Sequence, residues 1–193
     1  MHEDRDQVSS PPRQEILPQN DNAASLFLPD EAATLALGGA LAAALTQGPA
    51  DLVVYLEGDL GAGKTTLVRG LLRELGYAGK VKSPTYTLVE LYTISRLNLY
   101  HFDFYRFERP EEYLDAGLDE YFQGSGVCLV EWPDKAGAYL PLADLRVRLF
   151  LADAGRSVAL LADSEKGRAC LTSLNFRPDG TRAATSSSSP PPA

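Results

Sequence analysis

The chain has 193 residues, 45% of them hydrophobic and 23% charged, which suits one buried core with tails. Its formal net charge of −8 argues against a surface that grips a nucleic-acid backbone unaided, so any RNA involvement is expected through a partner. No stretch approaches the roughly 18 apolar residues of a membrane span, and Cys128 and Cys170 lack metal or disulfide spacing, which reads as reduced core thiols in a cytoplasmic protein.

Residues 1–24 mix acids, bases, Ser and Pro without an apolar segment, unlike a secretory signal or an acid-poor transit peptide, and are expected to be a disordered tail. A short strand follows at 25–28, and Asp30 is placed to cap an Ala- and Leu-rich helix over 31–46. Next come a strand at 52–57, a glycine-rich turn, and a helix over 64–75 with Leu67, Val68, Leu71, Leu72 and Leu75 on one face and Gly76 behind it. Residues 86–94 and 97–104 meet at Ser95-Arg96 and read as a β-hairpin. Pro110 suits the first turn of a short helical region reaching about Phe122. Val127 to Glu131 is an apolar strand ending in an acid, suited to the centre of a parallel sheet. Strands at 145–151 and 156–162 precede a helix at 164–174, and the Ser/Pro-rich 175–193 reads as a second disordered tail. The expected fold is α/β, a P-loop NTPase-like three-layer domain over 25–174, its central sheet largely parallel with an antiparallel hairpin.

The turn at 58–66, Gly-Asp-Leu-Gly-Ala-Gly-Lys-Thr-Thr, has the form G-x-x-x-x-G-K-[ST] between a strand and a helix. A chance match in a chain this long is expected on the order of one per cent of the time. Its backbone N–H groups at a helix N-terminus suit a nucleoside triphosphate, with Lys64 reaching the β and γ oxygens and Thr65 offering its hydroxyl to magnesium. Gly58, Gly61 and Gly63 permit the curvature and close approach.

A phosphate loop needs acids for its metal and a segment that senses the γ-phosphate. Glu131, ending an apolar strand, stands where P-loop enzymes carry a magnesium-ligating acid, although strand-end carboxylates are also ordinary. Asp103 is the second acid candidate, in a row with His101 and Tyr105; its other reading is a solvated carboxylate near a hairpin end. Thr85, in Ser83-Pro84-Thr85-Tyr86-Thr87, is the expected phosphate-sensing contact, or else part of a plain Pro-containing turn. Trp132 reads as either a site wall or a structural tryptophan, and His101 reads better as a hydrogen-bonded hairpin histidine than as a catalyst.

The ordered set of the loop, then Lys82-Ser83-Pro84-Thr85-Tyr86-Thr87-Leu88-Val89, then His101-Phe102-Asp103-Phe104-Tyr105-Arg106, then Val130-Glu131-Trp132, closely resembles the bacterial TsaE (YjeE) family. That family is the ATPase component of tRNA threonylcarbamoyladenosine synthesis, and the similarity spans about residues 25–174. The resemblance implies ATP with Mg2+, partnership with the TsaB and TsaD proteins, and contact with tRNA only through them. It also implies a cofactor-binding set of Gly58, Asp59, Gly61, Ala62, Gly63, Lys64, Thr65 and Thr66, with Thr34 near the adenine and Arg156 near the nucleotide. Lys64, Thr85, Asp103 and Glu131 form the implied catalytic set, and Thr65, Asp103 and Glu131 the metal set. Arg106 reads either as a charge-stabilising contact at an interface or as a surface ion pair.

Two other classes use the same loop. A small-molecule kinase would need an acceptor site and an Arg-rich lid, and no such lid is evident between Arg106 and Glu131. A GTP switch would need an N-K-x-D sequence, which is missing.

Overall fold

The computed structural model describes residues 18–20 and 22–176. One eight-stranded sheet runs through them, made of β1 (Pro18–Asn20), β2 (Ala23–Leu28), β3 (Leu52–Glu57), β4 (Val89–Ile94), β5 (Leu97–Asp103), β6 (Val127–Glu131), β7 (Leu145–Ala152) and β8 (Gly155–Ala162), in the spatial order β1-β2-β8-β7-β3-β6-β5-β4. The four central strands, β7, β3, β6 and β5, are mutually parallel, while the β4–β5, β7–β8, β2–β8 and β1–β2 pairs are antiparallel.

The tail boundaries differ from expectation at both ends. Pro18 and Asn20 pair with Ala24 and Ala23, so the sheet begins before residue 24. Phe176 packs against the core, past the expected domain end at 174. The rest of the two tails, 1–17, 21 and 177–193, lies outside the described residues.

β6 is buried at all five positions because layers cover both its faces. On one face lie α1 (Glu31–Gln47), α2 (Lys64–Glu74) and α4 (Glu165–Ser173), packed on Val54, Leu56, Val127, Leu129 and Val147. Asp30 starts α1 by accepting from Ala33 N at 2.8 Å, and Ser164 caps α4 by accepting from Gly167 N at 3.1 Å. α1 and α2 meet almost backbone to backbone: a Cβ on Gly38 would fall 2.1 Å from Leu67 O, and one on Gly70 2.1 Å from Leu35 O. On the other face, Phe102, Phe104, Phe107 and Tyr113 form an aromatic layer with Cys128 and Val130, closed by the short α3 (Glu112–Asp115) and a 3-10 turn at Leu118–Phe122.

The hairpin is shorter than its sequence pattern. Residues 86–88 belong to a turn, in which Leu88 N donates to Pro84 O at 2.8 Å and Leu88 takes a φ of 65°. This turn, although rich in strand-favouring residues, keeps one ladder-like bond, Asp103 N to Leu88 O at 3.1 Å, and then departs from the strand to stand at the carboxyl end of β5. Ligands of open α/β sheets bind at such strand ends, where connections diverge from a central strand.

Candidate functional site

β3 ends at Glu57, and Gly58 with a φ of 138° turns the chain into the loop. A Cβ at Gly58 would stand 2.3 Å from Leu149 O, so the loop is pressed against β7. Gly63 caps α2 in the left-handed region, at φ 107°, and Leu67 N is bonded back to Gly63 O at 2.9 Å. Helix geometry leaves the N–H groups of Lys64, Thr65 and Thr66 without acceptors in their own helix, aimed out of its positive end.

Lys64 is only 5% exposed. Its Nζ donates to Gly58 O at 2.5 Å and Asp59 O at 2.9 Å, and lies 3.9 Å from the Trp132 ring centroid. Burial pulls this ammonium below the usual lysine range, while Glu131, Asp103, Asp59 and Asp134 work the other way.

The two acids come from adjacent parallel strands in register, Asp103 beside Glu131. Both are 3% exposed, so the solvated reading of Asp103 is overturned. Glu131 Oε1 accepts from Thr65 Oγ1 at 2.8 Å and lies 2.9 Å from His101 Nε2. Asp103 Oδ2 accepts from Ser83 Oγ and from Thr85 Oγ1, the latter at 3.2 Å, and its Oδ1 accepts from Tyr105 N at 2.8 Å. The 83–85 segment is therefore fastened to the end of β5, beside the loop.

A cleft results, lined by Gly61, Gly63, Lys64, Thr65 and Thr66 from the loop, Ser83 and Thr85 from the turn, Asp103, Tyr105, Glu131 and Trp132 from the strand ends, and Arg156 from β8. Arg156 Nε donates to Ala62 O at 2.7 Å, which pins the β7–β8 hairpin to the loop.

A family model described as threonylcarbamoyl adenosine biosynthesis protein TsaE matches residues 28–158, the span that builds this cleft. The chain belongs to the TsaE family. It is 42% identical to the tRNA threonylcarbamoyladenosine biosynthesis protein TsaE of Haemophilus influenzae over 151 residues, 77% of this chain and 96% of that one. It is also 42% identical to the Nostoc protein of the same name over 139 residues, 70% of this chain and 83% of that one. The crystal structure of Bacillus subtilis YdiB matches with a TM-score of 0.66 at 34% identity, covering 79% of this chain and 93% of that chain.

Around this TsaE-family cleft the sequence-derived residues fall into two groups, with Thr34 outside both. Lys64, Thr65, Thr66, Thr85, Asp103, Glu131 and Arg156 converge on it with Gly61 and Gly63. Gly58, Asp59 and Ala62 act through their backbones, two carbonyls holding Lys64 and one holding Arg156. Thr34 is fully buried, its Oγ1 donates to Asp30 O at 3.1 Å within its own helix, and its Cγ2 lies beneath Gly63. Arg106 lies 4.2 Å from the ring centroid of Tyr86, a cation–π contact that was neither of its two sequence readings. Ser83 and Tyr105 were missing from the sequence-derived site, although Ser83 stands two residues before Thr85 and Tyr105 two after Asp103. Ser83 could have been found from that spacing; Tyr105 lies past the end of β5, so strand alternation no longer governs it.

The residues fit magnesium. Thr65, Asp103 and Glu131 offer only oxygen donors, as that hard cation requires. Among the described residues no group of three or more His, Cys, Asp or Glu is placed to hold a metal by itself. A magnesium ion here would draw on nucleotide phosphates for the rest of its shell, its common mode in phosphoryl-transfer sites.

Proposed function

We propose that this protein binds and hydrolyses ATP with magnesium in the cleft at the end of β3, and that it serves threonylcarbamoyladenosine synthesis on tRNA by cycling a TsaB–TsaD partner complex in the cytoplasm. The observation that carries this reading is the single Thr65–Glu131 hydrogen bond beside the Ser83/Thr85–Asp103 cluster. It brings the glycine-rich loop, two acids and the 83–85 turn together at one cleft, which supports the reading. Family membership supports the pathway, and the net charge of −8 supports contact with tRNA through partners.

Magnesium, when bound, neutralises phosphate charge and polarises the phosphoryl group. The loop N–H groups and Lys64 hold phosphate oxygens, and Thr65 and Glu131 fix the metal-facing edge of the cleft. Asp103 stands beside them with a carboxylate able to orient water or join the metal set. Ser83 and Thr85 have hydroxyls that exchange between Asp103 and a terminal phosphate, so the turn they belong to reports nucleotide state to whatever docks on it.

The test is reconstitution of tRNA modification with purified TsaB and TsaD, scored for multiple turnovers with and without this protein and ATP. Multiple turnovers are expected only when both are present, and Lys64→Ala should behave as omission does. Equal turnover without the protein would remove the assignment.

A further inference from the structure

His101 presents a contradiction that the site just described does not resolve. Its ring is fully buried in β5, between Glu90 of β4 and Leu129 of β6 in register, and Nδ1 has no hydrogen-bond partner among the described residues. Leaving a buried ring nitrogen unpaired carries a cost that an apolar side chain would avoid. Nε2 makes the one polar contact of the ring, 2.9 Å from Glu131 Oε1. Since a carboxylate oxygen accepts, this contact needs its proton on Nε2, donated to Glu131. The same Oε1 accepts from Thr65, so two donors from different elements, one on β5 and one on α2, hold a single carboxylate oxygen.

We propose that His101 is a positioning residue for Glu131, its Nε2–H holding Oε1 against Thr65 so that the carboxylate meets magnesium nucleotide in one preset orientation. The inference rests on the reading of Glu131 as the metal-facing acid. Outer-shell partners of metal-site carboxylates act in this way, and their loss typically weakens metal affinity tenfold to a hundredfold.

The experiment titrates ATP affinity of the full chain against magnesium by calorimetry, in wild type, His101→Leu, His101→Gln and Glu131→Gln. Expected for His101→Leu is a magnesium requirement raised about tenfold or more, with ATP affinity in EDTA within about twofold of wild type. His101→Gln, whose amide N–H replaces Nε2–H, should recover most of the loss. A folded His101→Leu protein with wild-type magnesium dependence overturns the proposal, as does a glutamine variant no better than leucine. If Glu131→Gln also leaves magnesium dependence unchanged, the underlying reading of Glu131 fails and this inference falls with it. If Glu131→Gln is impaired beside an unimpaired His101→Leu, only the inference fails. Should the leucine variant not fold, long-range proton–nitrogen NMR of the wild-type chain decides, since it has only two histidines. An Nε2–H tautomer for His101 is required, and an Nδ1–H tautomer overturns the proposal.

Discussion

Thr65 Oγ1 donates a 2.8 Å hydrogen bond to Glu131 Oε1, joining the first turn of α2 to the end of β6 across 66 residues of sequence. Side chains that share a hydrogen bond act as a unit, so their substitutions should not add. Thr65→Ala and Glu131→Gln are each expected to lower kcat/KM for ATP, and the double variant to lose less than the two losses combined. The coupling should fall in the range of about 0.5–3 kcal/mol. Steady-state phosphate release from the four proteins closes the cycle, and additive losses would mean that the contact has no role in turnover.

Lys64 sits at the floor of the cleft with its charge held by two loop carbonyls and the Trp132 face. A phosphate that draws Nζ away must change the surroundings of the chain's single tryptophan. ATP should therefore alter Trp132 emission in the wild-type protein. Losing a charge-assisted hydrogen bond costs about 1.5–3 kcal/mol, so Lys64→Ala should weaken ATP binding by roughly tenfold to a hundredfold in a fluorescence titration.

Much of this site was legible in the sequence because it depends on local signals. The glycine spacing from Gly58 to Gly63 dictates a loop, and the apolar run 127–130 dictates a buried strand that must end at Glu131. Two-residue alternation placed His101 and Asp103 on one face, and β5 bears that out. What was not legible depends on contacts between distant segments. Strand propensity alone pointed to residues 86–88 as sheet, whereas the Leu88–Pro84 hydrogen bond turns them over the cleft. The fully buried position of Asp103 is set by Ser83 and Thr85 closing over it, a contact spanning 20 residues to Ser83. The paired acids and the hydroxyls of Thr65 and Thr85 could be named from the sequence, but not the part of Ser83 or who bonds to whom.

Asp103 is the anchor of the 83–85 segment, since both hydroxyls donate to its Oδ2. Asp103→Ala removes three acceptor contacts, those to Ser83 Oγ, Thr85 Oγ1 and Tyr105 N, while leaving β5 paired on both sides. Amide hydrogen exchange over residues 83–88 should then accelerate by about tenfold or more, in keeping with roughly 1 kcal/mol per hydrogen bond lost. Exchange in β3 and β6 should change little. Uniform acceleration across the protein would instead mark Asp103 as a global stability residue.

Thr34 separates two ways of serving a nucleotide site. Its hydroxyl is satisfied by Asp30 O inside α1, and only Cγ2 approaches the loop, 3.5 Å from where a Gly63 Cβ would stand. Thr34→Val keeps that methyl and should leave ATP affinity within about twofold, while removing one helix-internal hydrogen bond worth about 1 kcal/mol. Thr34→Leu pushes into the loop and should weaken binding along with stability, by about 1–3 kcal/mol for overpacking. A large loss of ATP affinity in the valine variant would show that the hydroxyl reaches the nucleotide.

Both thiols and three phenols are titratable groups that folding holds neutral. Burial pushes Cys128 up to about 12 and Cys170 to about 11, and it raises Tyr55, Tyr92 and Tyr113 to about 12. For an acid whose folded value lies above its unfolded value, the stabilisation is fully present below the unfolded value. It is lost as the pH rises toward the folded one. Stability should therefore begin to fall above about pH 8.5 through the thiols and fall more steeply above about pH 10 through the tyrosines. Urea unfolding midpoints at pH 7.5, 9 and 10.5 measure this. A Cys128→Val, Cys170→Val protein should lose the first part of the decline and keep the second. In the native protein at pH 8 neither thiol should react with a disulfide reagent, and both should react once the chain is unfolded.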